Sequence, residues 1–212
     1  MTAGRGGRWP RRALVPALLL MPAGCVGLLA GPAPQLYRVA AVAAFPPGLP
    51  HVGAQVLVAL PQAPEGLDTR RIALSRSPLS LDYFADAEWT DRLSGLVQTA
   101  LVESFENSRA IPAVGRDTAG LRADFVLRSQ IRHFEAEYGA GNGPPTIVAA
   151  MLVKLVRVPA GAIVATAAFT ARQPAAANTM PAIIAAFNAA LGRVVRSIVV
   201  WTLTRPALAA RG

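Results

Sequence analysis

Apolar and polar residues recur with two different periods along residues 54–204. Several short stretches alternate between apolar and polar positions, as strands with one buried side do, and Pro, Gly, Ser or Asp separate them. The predicted strands cover residues 55–60, 71–76, 79–84, 125–134, 146–158 and 162–171. Ser77-Pro78 and Pro159-Ala160-Gly161 lie between consecutive strands and predict tight turns, so these strands are expected to form hairpins.

Two longer stretches have the helical period instead. The first places apolar residues at Trp89, Leu93, Leu96, Val97, Ala100, Leu101 and Phe105. The second runs from about Met180 to Leu203, with an apolar stripe at Ile183, Ile184, Phe187, Leu191, Val194, Val195, Ile198 and Trp201. Asp86 is the expected N-cap of the first helix. This order of elements predicts an α+β fold, a mixed, mostly antiparallel sheet with two long helices packed on one face.

The predicted strand at 125–134 is irregular. Its apolar residues occupy mainly odd-numbered positions from Phe125 to Ile131 and then an even-numbered position at Phe134. A β-bulge near Arg132 would account for this switch, because one extra residue reverses the side to which all later side chains point. The following strand, residues 146–158, is the most apolar of all and is expected to lie in the middle of the sheet.

Residues 1–24 have the composition of an export signal. They begin with a basic region that contains four arginines and no acid, at Arg5, Arg8, Arg11 and Arg12. An apolar run over residues 13–21 and the small residues Ala23 and Gly24 follow, directly before Cys25. This order is typical of export signals. A cysteine after the cleavage site is typical of bacterial lipoproteins. The sequence therefore predicts a lipoprotein signal peptide over residues 1–24 and lipid attachment at Cys25.

The segment around Cys25 has two other interpretations, an uncleaved membrane anchor and a buried structural cysteine. Pro22 stands three places before the cysteine, where Leu is usual, and residues 13–30 form an apolar stretch of 18 residues, close to the lower limit for spanning a bilayer. Pro16, Pro22 and Gly24 interrupt this stretch and disfavour a regular helix, so lipidation is preferred to an uncleaved anchor. A buried structural role for Cys25 is the third interpretation, and no strand or cap pattern around it supports that role.

The rest of the chain divides into three parts. Residues 25–53 are rich in Pro, Ala and Gly and contain one strand-like segment, residues 35–39, so they are interpreted as an extended tether. Residues 54–204 form the predicted globular domain. Residues 205–212 are expected to be a disordered tail.

Charge and cysteine content exclude several classes of protein. The net charge is +9, and subtracting the four arginines of residues 1–24 leaves +5. This excess is scattered, with few aromatic residues between the arginines, which does not favour nucleic-acid binding. The single cysteine excludes an internal disulfide and a cysteine-based zinc site.

The glycines and serines of the chain give no catalytic pattern. Residues 139–143 contain three glycines, as phosphate-binding loops do, but they lead into Pro144-Pro145 and a strand, whereas a phosphate loop leads into a helix. A hairpin loop is therefore the preferred interpretation. Ser77, Ser80 and Ser94 lack the surroundings of a nucleophile elbow.

The acidic residues and histidines also give no catalytic pattern. His133, Glu135 and Glu137 share one side of a strand with a spacing that a metal could use, but a frayed, solvent-facing strand end is preferred. Four acids surround the start of the first helix, where they are expected to stabilise its dipole: Asp82, Asp86, Glu88 and Asp91. The sequence therefore predicts no catalytic residue, no metal site and no cofactor.

Five segments, spread from the Cys25 region to Leu203, match one family pattern. They are Leu36-Tyr37-Arg38-Val39, residues 66–73, residues 81–93, residues 121–127 and Val200-Trp201-Thr202-Leu203. The most specific of them begins Leu81-Asp82-Tyr83-Phe84-Ala85-Asp86-Ala87-Glu88-Trp89 and leads into the first helix. In these segments the chain resembles the ABC-type transport auxiliary lipoproteins, the third partner in some MCE-type lipid-trafficking operons.

The resemblance implies a non-enzymatic lipoprotein on the periplasmic side of the cell envelope, held there by a lipid anchor. The partners it implies are a substrate-binding MCE protein and an ABC permease–ATPase pair, which move phospholipid or another hydrophobic cargo between membranes. Val26 follows the cysteine in place of an Asp that would favour the inner membrane, so the outer membrane is favoured. The alternatives are a periplasmic lipid carrier without a fixed transporter and a periplasmic hydrolase that uses His133. Trp89 and Trp201 are interpreted as core side chains rather than partner anchors.

Overall fold

The computed structural model describes residues 1–3, 33–117, 122–141 and 143–209. Residues from Ala33 onward pack together as one unit. Its strands are β1 Gln35–Tyr37, β2 Gln55–Val58, β3 Arg71–Ser75, β4 Asp82–Trp89, β5 Ala113–Arg116, β6 Phe125–Glu137, β7 Thr146–Arg157 and β8 Ala162–Pro174. Its helices are α1 Leu93–Ser108, α2 Met180–Leu203 and α3 Pro206–Ala209.

The sheet is organised around β6. One edge of β6 pairs antiparallel with β7, from Phe125 opposite Arg157 to Glu137 opposite Thr146, and β8 pairs antiparallel with β7. The other edge of β6 pairs in parallel with β2 at its beginning and with β3 at its end. β5 continues the sheet beyond β2, whereas β4 and then β1 continue it beyond β3. The sheet is mixed and its longest ladders are antiparallel, which confirms the predicted fold class.

Both long helices lie on the same face of the sheet. An aromatic cluster joins α2 to two strands, since the Phe187 ring lies 4.9 Å from the Phe134 ring and 5.4 Å from the Trp89 ring, measured between centroids. All three side chains are at most 2 % exposed. Each such ring pair contributes about 0.5–1.5 kcal/mol beyond simple burial. The cluster therefore fixes α2 against β4 and β6, which are distant from it in the sequence.

Several details of the predicted elements are confirmed. The register between β6 and β7 shifts between Ile131 and His133, which places the expected bulge at Arg132. Glu137 pairs with Thr146, so the glycine-rich segment between them is the predicted hairpin loop. β7 lies between β6 and β8, in agreement with its apolar composition, and α2 has the predicted bounds.

The first helix begins later than predicted. α1 starts at Leu93, and Trp89 is the last residue of β4. The Trp89 amide donates a hydrogen bond to the Arg70 carbonyl (2.7 Å), and Tyr37 of β1 is its partner on the other side. Trp89 and Leu93 are both buried in the core although they belong to different elements. Two buried residues four positions apart have the spacing of one face of a helix, which is why the sequence pattern placed the helix start too early.

Two short elements were not predicted. β5 pairs in parallel with β2, a partner more than fifty residues earlier in the chain, so no local pattern indicates it. α3 lies in the segment that was expected to be a disordered tail, and its Leu208 is fully buried. The described part of that tail is thus ordered, because one apolar side chain reaches the core.

The described part of the predicted tether lies against the helices. We call residues 38–52 the strap. Val42 in the strap is only 5 % exposed. The Ala40 amide donates to Oδ1 of Asn188 in α2 (2.7 Å), and the Val42 amide donates to Oγ of Ser104 in α1 (2.9 Å). The strap is therefore an ordered part of the domain, and its Pro, Ala and Gly content concealed this in the sequence.

Among the described helices, α2 is the one long and apolar enough to cross a membrane, with a mean hydropathy of 1.7 over its most apolar window. Half of that window is buried inside the fold. Ile183, Phe187 and Ile198 are at most 1 % exposed. α2 is therefore the central core helix of this domain, and its apolar composition follows from that burial.

Replacing Ser104 by Ala removes the acceptor for the buried Val42 amide. We expect the free energy of unfolding to fall by about 1–3 kcal/mol, the cost of leaving a buried donor without a partner. Urea denaturation followed by circular dichroism measures this loss. Ser197→Ala, at an exposed position of α2, is the matched control and should change stability by less than about 0.5 kcal/mol. Equal effects of the two substitutions would contradict the role given to the strap.

Candidate docking surface

In the described part of the chain, the helices cover only one face of the sheet. The rings of Phe169 in β8 and Trp201 in α2 lie 5.8 Å apart, which marks the helix side of β8. Because side chains alternate along a strand, Ala168 lies on the other side, level with Leu152 of β7. We call this other side the helix-free face; it includes Arg128 and Gln130 of β6, Leu152 and Lys154 of β7, and Thr166, Ala168 and Thr170 of β8.

A cleft of about 150 Å³ opens on the helix-free face. Arg128 and Lys154 line it from directly opposite positions of β6 and β7, together with Gln62 and Gln130. Neither cation forms a salt bridge with another described residue. Like charges placed directly opposite one another repel, so an acidic group of a partner would relieve this repulsion. Leu60, which is 53 % exposed, adds an apolar rim to the cleft.

β8 forms one edge of the sheet next to this face. It spans 13 residues, and in the described structure it pairs only with β7. Towards its C-terminal end, the Arg172 carbonyl accepts a hydrogen bond from Arg193 of α2 (2.8 Å), and the rest of its outer edge is available to an added strand. Arg172 and Pro174, the residue types that hinder such pairing, are confined to its C-terminal end, and Ile163 near its N-terminal end is 56 % exposed. The edge and the helix-free face together form the candidate docking surface.

The acids expected at the start of α1 do not act as predicted. Asp82, Asp86 and Glu88 lie in β4, and the helix has no acid in its first turn. Asp91 accepts a hydrogen bond from the Arg92 amide (2.7 Å). The backbone of Asp86 has a φ of 54°, in the left-handed region that Asp tolerates better than most residues. The prediction of Asp86 as the N-cap was therefore wrong, because Asp86 lies in the irregular part of a strand.

Asp68 provides the cap instead. Its Oδ1 accepts a hydrogen bond from the Ser94 amide in the first turn of α1 (3.0 Å), and its Oδ2 lies 3.4 Å from Nε of Arg92. Burial alone would raise the pKa of the Asp68 carboxyl, but the hydrogen bonds from Ser94 and the charge of Arg92 outweigh burial and lower that pKa below 3.8. Because Asp68 precedes Ser94 by 26 residues, no local capping pattern could identify it.

His133 and Glu135 form a structural pair. Nδ1 of His133 lies 2.7 Å from Oε1 of Glu135, whose Oε2 accepts a hydrogen bond from the Phe134 amide (2.6 Å). Glu135 is 7 % exposed, and Glu137 pairs with Arg172 across the sheet. The strand is paired through Glu137, so the expectation of a frayed end was wrong. Among the described residues, no three His, Cys, Asp or Glu side chains are placed to hold a metal ion.

The other polar side chains singled out in the sequence have structural partners. Ser77 and Ser80 form a hydrogen bond with each other (3.0 Å) in the turn between β3 and β4. The amide of Ser94 is the group that Asp68 caps. The phenol of Tyr138 is partly buried, and this burial raises its pKa, although the positive charge of Arg76 acts in the opposite direction. In the ranges that the structure describes, Ser77, Ser80 and Ser94 form no hydrogen bond with a histidine. The geometry therefore does not favour nucleophilic catalysis.

A family model for the ABC-type transport auxiliary lipoprotein component matches residues 35–199. The match begins at β1 and ends within α2, so it includes the whole sheet, α1 and most of α2. The chain belongs to this family. The family is described as a lipoprotein component that is auxiliary to ABC-type transport.

Two solved structures are similar to this chain. Protein XCC0632 from Xanthomonas campestris, described as family-model DUF330, is 30 % identical, with a TM-score of 0.75; the match covers 80 % of this chain and 94 % of that chain. An uncharacterized protein, 13 % identical, has a TM-score of 0.63, and the match covers 81 % of this chain and 99 % of that chain. At that identity the second likeness shows the fold alone.

A curated relative is known from Bradyrhizobium diazoefficiens. The uncharacterized protein bll6063 is 32 % identical over 125 residues, which cover 57 % of this chain and 32 % of that protein. The match thus spans about a third of the length of the relative. Cys25, the predicted lipid attachment site, lies outside the described residues, and its modification stays a prediction.

Replacing Asp68 by Ala removes the cap of α1, and at pH 7 we expect a loss of stability of about 1 kcal/mol. The pKa of the Asp68 carboxyl is lower in the folded than in the unfolded protein. The stability that the ionised carboxylate adds is therefore present at neutral pH and is lost as the pH falls through the folded pKa. The difference between variant and wild type should therefore shrink below about pH 4.

Urea denaturation of both proteins at pH 7 and at pH 3 tests this. Asp82→Ala, which removes an exposed acid of β4, is the control and should change stability by less than about 0.5 kcal/mol at pH 7. A deficit of Asp68→Ala that is as large at pH 3 as at pH 7 would show that charge plays no part in the cap.

Proposed function

We propose that this protein is a non-enzymatic periplasmic lipoprotein, anchored at Cys25, that serves as the auxiliary component of an MCE-type ABC transporter for lipid or another hydrophobic cargo. The observation that carries the proposal is the family match over residues 35–199. Among the described residues, no three His, Cys, Asp or Glu side chains are placed to hold a metal ion. ATP hydrolysis then belongs to a partner, because no glycine-rich loop in the described residues leads into α1 or α2.

The docking surface suits a protein partner of this kind. The helix-free face offers two cations that form no salt bridge with a described residue, beside the exposed Leu60, and the outer edge of β8 has no strand partner in the described structure. Together they provide charge, apolar area and directional hydrogen bonds on one side of the domain. We assign the MCE-domain protein to this surface. The helices lie on the opposite side of the sheet and form the core.

Lipid carriage between the sheet and the helices is the weaker alternative. A carried acyl chain would have to occupy the space between these two layers. Phe134, Phe187 and Trp89 fill that space and are in ring contact with one another. The cleft beside Arg128 lies on the opposite face of the sheet. The described core therefore favours a docking role over a carrier role.

The anchor is tested by the intact mass of the protein extracted from membranes. We expect a chain that begins at Cys25 and carries acyl groups. Replacing Pro22 by Leu should increase the processed fraction, because Leu is the usual residue at that position, whereas Cys25→Ser should abolish processing and release the protein from the membrane. A wild-type mass that still includes residues 1–24 would contradict the proposed anchor.

The docking surface is tested by co-purification from membranes. Ala168→Glu places a negative charge on the helix-free face, halfway along the edge strand β8, and we expect recovery of the MCE protein to fall about tenfold or more, equivalent to about 1.4 kcal/mol. Ala189→Glu makes the same change at an exposed position of α2 and is the matched control. Loss of the partner in the control alone would place docking on the helix side. Recovery of the wild-type lipoprotein without any partner would contradict the proposed function itself.

A further inference from the structure

The turn between β3 and β4 presents an apolar tip to solvent. Leu79 is 100 % exposed and Leu81 is 39 % exposed. Hydrogen bonds hold the turn in place: the Ser80 amide donates to the Ser77 carbonyl (3.1 Å), and Oγ of Ser75 donates to the same carbonyl (2.6 Å). The Leu79 side chain is thus held outward by an ordered turn. An exposed leucine on an ordered turn is suited to enter an apolar environment at little entropic cost.

The register of the strands places this turn at one end of the sheet. Ser75, the last residue of β3, pairs with Glu137, the last residue of β6, and Glu137 pairs with Thr146 at the start of β7. The β3–β4 turn and the β6–β7 loop therefore lie at the same end, which we call the tip end. Ile163, which pairs with Val156 near the end of β7, lies at the opposite end of the sheet.

The described stretch that starts at Ala33 also begins on the side of the tip end. β1 runs parallel to β4, with Gln35 opposite Ala87, and β4 begins at Asp82, next to the turn. Ala33, two residues before Gln35, therefore lies on the side of the tip end. Seven residues lie between Cys25 and Ala33, so the eight residue-to-residue steps that join them reach at most about 28 Å when fully extended.

The length of the sheet determines which of its ends this segment can bring to the membrane. β6 has 13 residues and is about 40 Å long at the usual rise per residue. A membrane attached through Cys25 is thus within easy reach of the tip end. To face the opposite end, the segment would have to run back along most of the length of the sheet at nearly full extension. The tip end is therefore the end that an anchor at Cys25 brings to the membrane.

We propose that the β3–β4 turn inserts Leu79 into the interface of the membrane that holds Cys25 and so sets the orientation of the domain. This inference rests on the proposed anchoring at Cys25. Arg76, whose guanidinium lies over the Tyr138 ring at 5.0 Å, is placed beside the turn, where it meets lipid phosphate groups. One leucine is too weak to recruit a protein from solution, but beside a covalent anchor it acts at high local concentration and provides a second point of attachment.

The experiment measures tryptophan fluorescence in vesicles that contain bromine-labelled phospholipid. Leu79→Trp and the matched control Ile163→Trp are purified as full chains from the envelope and reconstituted, with the wild-type signal subtracted from each. If the intact mass shows no acyl group, the protein is coupled to a maleimide phospholipid through Cys25, its only thiol. The orientation of the domain is thus tested separately from natural lipidation, on which the proposed function depends.

We expect the added fluorescence of Leu79→Trp to be largely quenched and that of Ile163→Trp to be unchanged. Leu79→Asp should abolish the preferred orientation, measured as equal accessibility of both ends to a protease, while the urea denaturation midpoint remains that of the wild type. Absence of quenching at Leu79→Trp, or equal quenching at both positions, overturns the inference. Quenching or shielding that appears only after the transporter is added assigns the turn to a protein partner and also overturns it.

Discussion

β6 is a 13-residue strand whose two edges are used in different ways, and the remaining structure depends on this difference. One edge is filled by a single antiparallel partner, β7. The other edge is divided between the short parallel strands β2 and β3. Parallel strands cannot be joined by a tight turn, so the chain must cross over between them. The crossover α1 and the final helix α2 close the same face, and no described helix covers the opposite face.

This asymmetry separates stability from interaction. The face covered by helices contains the buried aromatic cluster of Trp89, Phe134 and Phe187, which joins the layers. The helix-free face presents Arg128, Lys154 and other polar side chains, and the β8 edge has no strand partner in the described structure. A protein that works by docking needs such a division, because its contact surface can then vary while the core is preserved. Family membership and geometry therefore point to the same kind of function.

The candidate site illustrates the limits of local patterns. Asp82, Asp86 and Glu88 have the spacing of acids at a helix start, yet they lie in a strand, and Asp68 from a distant loop caps the helix. The Arg128–Lys154 pair on the docking surface has no sequence signature at all, since the two residues meet only through the register of β6 and β7. A resemblance over the whole length of the chain indicated the family, but neither the resemblance nor the spacing located these contacts.

The sequence by itself determined the elements that depend on neighbouring residues. The alternation along β6, its bulge at Arg132, the hairpin to β7 and the bounds of α2 are all encoded by periodicity and turn residues within a few positions. Tertiary structure alone decided where β5 pairs, how the strap meets Ser104, and that Trp89 ends a strand. The physical reason is the same in each case. The partner that satisfies the hydrogen bond or fills the core is dozens of residues away, and only the folded chain brings it into contact.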